Sequence, residues 1–267
     1  MLNRRFLNWK NRTVANTVRK SFFFGLFSLL VSCNGENAPD CFQNAGDLIR
    51  EPVEVSDFLN ITVFENINLV LRQGEEQVVE IETGEFLRNE VSAVVEGNRL
   101  VVKNSNGCNF FREYGLTTIY VTSPNIEEIR SSTGLLISSE GILNYPNISL
   151  ISESFTDSEA ETTDGSFDLN VNSEIVRITT NGIAYFKLGG TTNNLSITIA
   201  AGDSRIEAEN LVAQNVSINH RGSNDTFVNP QQRISGVIRG VGDVICNNRP
   251  PEVEVEELFN GRLIFRD

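Results

Sequence analysis

Histidine, tryptophan and methionine each occur once in these 267 residues, as His220, Trp9 and Met1. A single histidine excludes a multi-histidine metal centre and any catalytic apparatus built on several imidazoles. Four cysteines are too few for a dense disulfide scaffold. Lys and Arg number 22 against 35 Asp and Glu, so the counter-charge for a phosphate backbone is missing and nucleic acid is excluded as a partner. No apolar run reaches the roughly 20 residues of a spanning helix. A P-loop, a Gly-x-Ser-x-Gly elbow and a paired Cys-x-x-Cys are all absent. Gly240-Val241-Gly242 begins like a dinucleotide fingerprint, but Ile245 stands where its third glycine belongs. Neither a cofactor nor a metal is expected.

What remains is a chain that folds: 40% of it is hydrophobic and 21% charged, enough for one large β domain or two smaller ones. Its amino terminus reads as an address. Residues 1–20 carry Arg4, Arg5, Lys10, Arg12, Arg19 and Lys20 with no acid, and an apolar run from Phe22 to Val31 leads into Ser32-Cys33. This order is that of a signal peptide, and Leu30-Val31-Ser32-Cys33 resembles the lipobox of bacterial lipoproteins, whose cysteine receives diacylglycerol. Cleavage before Cys33 takes away six bases and no acid, leaving sixteen basic against 35 acidic residues. Acyl chains, not charge, would then hold the protein at a membrane. Export to the outer membrane or cell surface as a lipid-anchored protein is expected, with 33–52 as tether and entry segment.

Export also places Cys41, Cys108 and Cys246 where disulfides persist. Cys41 and Cys108 lie in polar, turn-like segments, whereas Cys246 follows Val244-Ile245 in a strand-like run. A Cys41–Cys108 disulfide and a buried free thiol at Cys246 are expected. The spacing matches no zinc pattern.

From 53 to 125 the pattern is one of short strands between turns. Leu59, Ile61 and Val63 alternate with polar residues, as do Ile67, Leu69 and Leu71, and then Val79 and Ile81. From 126 to 267 a longer repeat follows. Gly134, Gly165, Gly182, Gly202, Gly222, Gly242 and Gly261 recur at intervals of 31, 17, 20, 20, 20 and 19 residues, each between short apolar stretches. Such units hold two or three strands and no helix. The expectation is an all-β fold in which the first region packs onto a right-handed parallel β-helix of roughly 20-residue coils, with glycine at corners of positive φ. The alternative is a sandwich with evenly spaced hairpins. The long interval implies an insertion of about ten residues between Ser152 and Asp164, carrying Glu153, Asp157, Glu159, Glu161 and Asp164; it reads as a solvated loop without the spacing of a calcium site. Pro250-Pro251 and the alternating Glu252, Glu254 and Glu256 read as a charged terminal cap.

The opening Asp57-Phe58-Leu59-Asn60-Ile61, then Val121-Thr122-Ser123-Pro124-Asn125-Ile126, Gly134, and the closing Gly240-Val241-Gly242-Asp243-Val244 resemble the auto-transporter adhesin, head-GIN domain family. The resemblance implies an exported envelope protein with a solenoid-like β fold and no catalytic residues to transfer.

The resulting functional expectation is a non-enzymatic binding, adhesion or structural module at the envelope, with a glycan or surface protein as its partner beyond the membrane. The competing reading is a carbohydrate-active β-helix hydrolase. Asp203 and Asp243 each follow a repeat glycine, and in a strict 20-residue register they would stand two rungs apart, about 9.6 Å at 4.8 Å per rung, near the range for paired carboxylates in an inverting glycosidase. The ordinary reading of Asp beside Gly is turn chemistry. His220, with no nucleophile motif beside it, reads as a surface residue.

Overall fold

The computed structural model describes residues 43–107, 114–155 and 162–266. Strands dominate. The first ten are short: β1 (Leu48–Val53), β2 (Asn60–Val63), β3 (Asn68–Gln73), β4 (Val78–Gly84), β5 (Val91–Glu96), β6 (Arg99–Asn104), β7 (Thr118–Ser123), β8 (Glu128–Ser131), β9 (Leu136–Leu143) and β10 (Asn147–Ser152). Four long strands follow, β11 (Ser166–Thr180), β12 (Tyr185–Ile199), β13 (Arg205–His220) and β14 (Thr226–Ile238), and then β15 (Val244–Cys246), β16 (Glu252–Glu257) and β17 (Leu263–Phe265). Among the described residues one 3₁₀ turn, Glu85–Glu90, interrupts them.

All seventeen strands belong to one sheet, folded so that two rows enclose a common core. Each long strand contributes to both rows. Ser166–Val171 of β11 pairs with β9 while its Asn147-facing half, Ile175–Thr180, pairs with β10. The apolar phase shows why the strand must bend. Phe167, Leu169 and Val171 are buried at odd positions, and Val176, Ile178 and Thr180 at even ones. Side chains alternate faces along a strand, so a phase change keeps both limbs facing inward only if the chain turns a corner between them.

Pairing from β8 onward is parallel. Ser166 lies opposite Tyr185, Tyr185 opposite Arg205, and Ile206 opposite Thr226, steps of 19, 20 and 20 residues. Parallel neighbours cannot be joined by hairpins, which excludes the evenly spaced hairpin sandwich. The core is a stack of apolar columns, with Ile137, Phe167, Phe186 and Ile206 as successive members of one of them.

The N-terminal strands do not pack against this stack as a separate layer; they are hydrogen-bonded into it. Asn60–Val63 pairs in parallel with β8 on one side and with β6 on the other, and β3 likewise lies between β7 and β9. The rung made of β2 and β3 is therefore flanked by two rungs that come later in the chain. Antiparallel pairs finish this end, β1 with β4, β4 with β7, and β5 with β6. At the other end β16 pairs only with β14, and β17 only with β15, among the described residues.

Candidate functional site

The repeat glycines mark the turns that close each unit, though mostly not through positive φ. Of the seven, Gly202 alone has it, at +88°. The rest are selected by crowding: a Cβ on Gly182 would come within 2.2 Å of the Thr163 carbonyl oxygen, and one on Gly261 within 2.2 Å of that of Gly242. Gly134 and Gly165 meet the side chains of Asp164 and Ser131 instead. Turn sits on turn through main-chain bonds, Asp203 N to Gly182 O at 2.8 Å and Ser223 N to Gly202 O at 2.9 Å. Only a residue without a side chain permits such an approach.

These turns decide the fate of the two candidate carboxylates. Ile206, Thr226 and Val244 are partners across three rungs. Asp243, one residue before Val244, therefore aligns with Asp225 and not with Ser223. The step from β14 to β15 is 18 residues, not 20, and the register that would have stacked Asp203 two rungs from Asp243 does not hold. Each carboxylate is instead a turn fastener. Asp203 Oδ1 accepts the Ser223 hydroxyl at 2.7 Å, and Asp243 Oδ1 accepts the Arg262 main-chain N–H at 2.8 Å. Asp243 N in turn donates to Asp225 Oδ1 at 3.0 Å.

His220 is not at the surface. It ends β13 in the inward row, between Ile199 and Ile238, and is fully buried. Its Nε2 lies 3.0 Å from the Asn224 carbonyl oxygen. Burial pulls the imidazole below its ordinary pKa, against the opposing pull of the Asn224 carbonyl and of Asp225 and Asp243. Cys246 is a free, fully buried thiol, as its strand-like surroundings in sequence imply, and burial pushes it up to about 12.

Polar chemistry concentrates on the outward row of the first limbs. Lys187 pairs with Asp168 at 2.9 Å. Glu207 accepts from Tyr185 and from Arg205 Nε, the latter at 2.7 Å, and is held below the usual carboxylate range by the tyrosine first and the arginine second. Tyr185 is pushed up to about 12 by that same bond. Farther along, Arg205 and Arg266 lie over the Phe227 ring at 4.7 and 4.9 Å, and Arg249 lies over Phe265 at 4.6 Å. At the opposite end Tyr120 lies under Arg50 and Arg72, at 3.6 and 4.7 Å. Arg72 is also paired to Glu140 at 2.6 Å. Sequence reading passed over these arginines. For Arg72, Arg205 and Arg266 the available signal was placement at positions alternating with apolar ones; Arg249, between Asn247-Asn248 and Pro250-Pro251, offered none.

The base of the acidic insertion is not solvated. Glu153 is buried and paired to Arg130 of β8 at 2.9 Å, with a 2.6 Å bond from Phe155 N to its other oxygen. Asp157, Glu159 and Glu161 lie outside the described residues, as do Cys33, Cys41 and Cys108. Among the described residues no cluster of His, Cys, Asp and Glu is placed to hold a metal ion, and no helix is long and apolar enough to cross a membrane.

Solved structures share this fold. A crystal structure described as that of a putative adhesin from Bacteroides fragilis superposes with a TM-score of 0.71 at 20% identity, covering 82% of this chain and 97% of its own. A putative adhesin from Parabacteroides distasonis gives 0.59 at 14% identity over 83% and 98% of the two chains. A putative lipid binding protein from the same species gives 0.57 at 15%, again over 83% and 98%. No curated protein matches the sequence. The family model described as "Putative auto-transporter adhesin, head GIN domain" matches residues 57–250, and the chain belongs to that family.

Proposed function

We propose that this protein is a non-enzymatic surface module of the cell envelope, anchored through lipid on Cys33 and displaying its β stack to a glycan or a surface protein. In this reading the stack winds as a right-handed parallel β-helix, and a Cys41–Cys108 disulfide ties the entry segment to the first rungs. The observation that carries it is the use made of the candidate carboxylates: Asp203 and Asp243 are each committed to a neighbouring turn, in different registers, and supply no facing pair. Family membership supports the adhesive role and a surface location. A rigid stack with exposed polar rows suits recognition of a repetitive ligand, since each rung repeats the same presentation.

The test is a glycan array probed with the full chain in mild detergent, bound sugars being analysed by mass spectrometry, alongside palmitate labelling of cells. Binding without cleavage, with label lost in Cys33→Ala, is the expected result. Cleavage of any bound glycan overturns the non-enzymatic reading, and label retained in Cys33→Ala overturns the anchor.

A further inference from the structure

The last rung leaves the end of the core open. Since β16 pairs with β14 alone among the described residues, the main-chain donors and acceptors along its outer edge find no partner there. The inward column of Val216 and Ile234 ends in Val253, and that of Ile218 and Gly236 ends in Val255. In the other row Val244 and Cys246 are followed by Leu263 and Phe265. Val216, Ile218, Ile234, Val244 and Cys246 are buried, whereas Val253 is 38% exposed and Val255, Leu263 and Phe265 are only partly covered. Exposed Leu258, Phe259 and Ile264 extend this apolar end.

The charge on the edge decides what can join it. Glu252, Glu254 and Glu256 alternate with the two valines and so face outward. Arg233 pairs with the first two, and Glu256 has no ion pair with a described residue. A second copy of the chain is disfavoured. In any antiparallel register of β16 with itself, residues of like facing stand opposite, so glutamate meets glutamate. The terminal strand of this row at the other end, β5, offers outward Ser92, Val94 and Glu96, and no base. The chain's own amino-terminal segment does not reach. Cut before Cys33, its ten residues ahead of Gln43 span at most about 36 Å. Gln43, bonded to Phe86 O beside β4, lies nine strand steps from β17, about 43 Å at about 4.8 Å each.

We propose that β16 is the docking edge for an extended segment of another protein, one that alternates Lys or Arg with apolar residues. Its main chain continues the ladder, its apolar side chains close the core over Val253 and Val255, and its bases meet the three outward glutamates. Charge on an edge guards against unwanted pairing; the same charge selects a strand of opposite sign by rejecting the others. This rests on the reading of the chain as a binding module and names the chemistry of its partner. Four glutamates in six residues set the apolar end against an anionic bilayer.

Fluorescence anisotropy of the full chain with labelled ten-residue peptides tests the assignment. The peptides are alternating Lys-Val, its fully N-methylated form, alternating Lys-Ser and alternating Glu-Val. Wild type is compared with Glu254→Lys/Glu256→Lys and with Glu75→Lys/Glu76→Lys, the same charge change on an exposed turn between β3 and β4. Wild type should bind Lys-Val at least about tenfold more tightly than the other three peptides. Glu254→Lys/Glu256→Lys should weaken Lys-Val about tenfold or more and gain Glu-Val, a gain that an unfolded variant would not show; Glu75→Lys/Glu76→Lys should change either by less than about twofold. Equal binding of the N-methylated or Lys-Ser peptide, equal loss in the control variant, or loss without the gain of Glu-Val overturns the proposal. So does failure to bind Lys-Val, whether the end then self-associates in light scattering or sediments with phosphatidylglycerol or phosphatidylcholine vesicles. Peptide binding absent while glycan binding persists overturns the edge and not the binding-module reading; glycan cleavage beside intact peptide binding overturns that reading and not the edge.

Discussion

Phe167 and Phe186 are register partners one rung apart, their ring centroids 4.7 Å from each other and their planes 6° from parallel. The separation is that of adjacent strands, so the rings stack because the backbones do. The pair occupies the column that continues into Ile137 on one side and Ile206 on the other. Phe186→Ala should open a cavity in the middle of that column and cost about 3–5 kcal/mol. Phe186→Leu, keeping most of the volume, should cost less than half as much. Urea unfolding of the two variants decides it, and equal losses would show that the column relaxes around the gap.

The glycine turns give a paired test. Gly202 combines φ of +88° with a Cβ position 2.2 Å from the Gly182 carbonyl oxygen, while Gly97 has φ of +64° and open space around it. Gly97→Ala should cost about 1–2 kcal/mol, the strain of a left-handed backbone alone. Gly202→Ala must also push two turns apart, and should cost distinctly more. Equal destabilisation of the two would remove close approach as the reason for glycine at 202.

Protonation of His220 should weaken the fold. Its folded pKa lies below the unfolded value, so the native state binds the proton less readily. The stabilising effect is complete above about pH 6.5, the ordinary histidine value, and drains away as pH falls toward the folded pKa. The slope should be at most about 1.4 kcal/mol per pH unit. Glu207, held low by Tyr185 and Arg205, contributes in a separate and more acidic window, below the usual carboxylate pKa. Stability measured from pH 7.5 to 5 should fall in wild type and stay flatter in His220→Gln; parallel curves would remove His220 as the cause.

Cys246 should resist alkylation in the native protein at pH 8, because it is buried and its thiol stays protonated up to about 12. Peptide mapping after iodoacetamide treatment should find it unmodified under native conditions and fully modified in urea. Modification at the same rate in both would mean that the last rungs open freely.

Breaking the buried Arg130–Glu153 pair tests whether the acidic insertion is fastened at its base. Arg130→Leu leaves the Glu153 carboxylate buried beside an apolar group and should cost about 3–5 kcal/mol. Adding Glu153→Leu should restore much of that loss. A double variant as unstable as the single would point to packing around Arg130, not charge, as the source.

Much of this was legible in the sequence because β structure writes its period in side chains. The inward positions of β3 and β4, Leu69, Leu71, Val79 and Ile81, are the alternating apolar residues of the first region, and all are buried. The turn glycines located the closing edge of each unit. Corner residues were harder to find, since the phase change in β11 between Val171 and Val176 looks like a broken pattern until two limbs share one core. Register was harder still. Two residues fewer between Thr226 and Val244 than in a 20-residue step moved Asp243 out of line with Asp203, and spacing read from glycines alone does not detect a short rung. His220 misled for a similar reason: a polar residue at an inward position is recognised only when its partners, Ile199 and Ile238, are known.

The placement of β2 and β3 between β6–β7 and β8–β9 sets the order in which the molecule can be assembled. A chain emerging amino end first presents β2 and β3 long before either flanking rung exists. Those strands wait with both edges bare until β6 and β7 have emerged, and with one edge bare until residue 143 has. The later rungs lack this constraint, since each finds its template already laid down by the one before. Growth should therefore be slow to start and then processive, and trimming should be tolerated from the carboxyl end sooner than from the amino end. Pulse-labelled hydrogen exchange during refolding should reveal protection reaching Ile61 and Leu69 no earlier than Ile119 and Ile137, however early in the chain they are made.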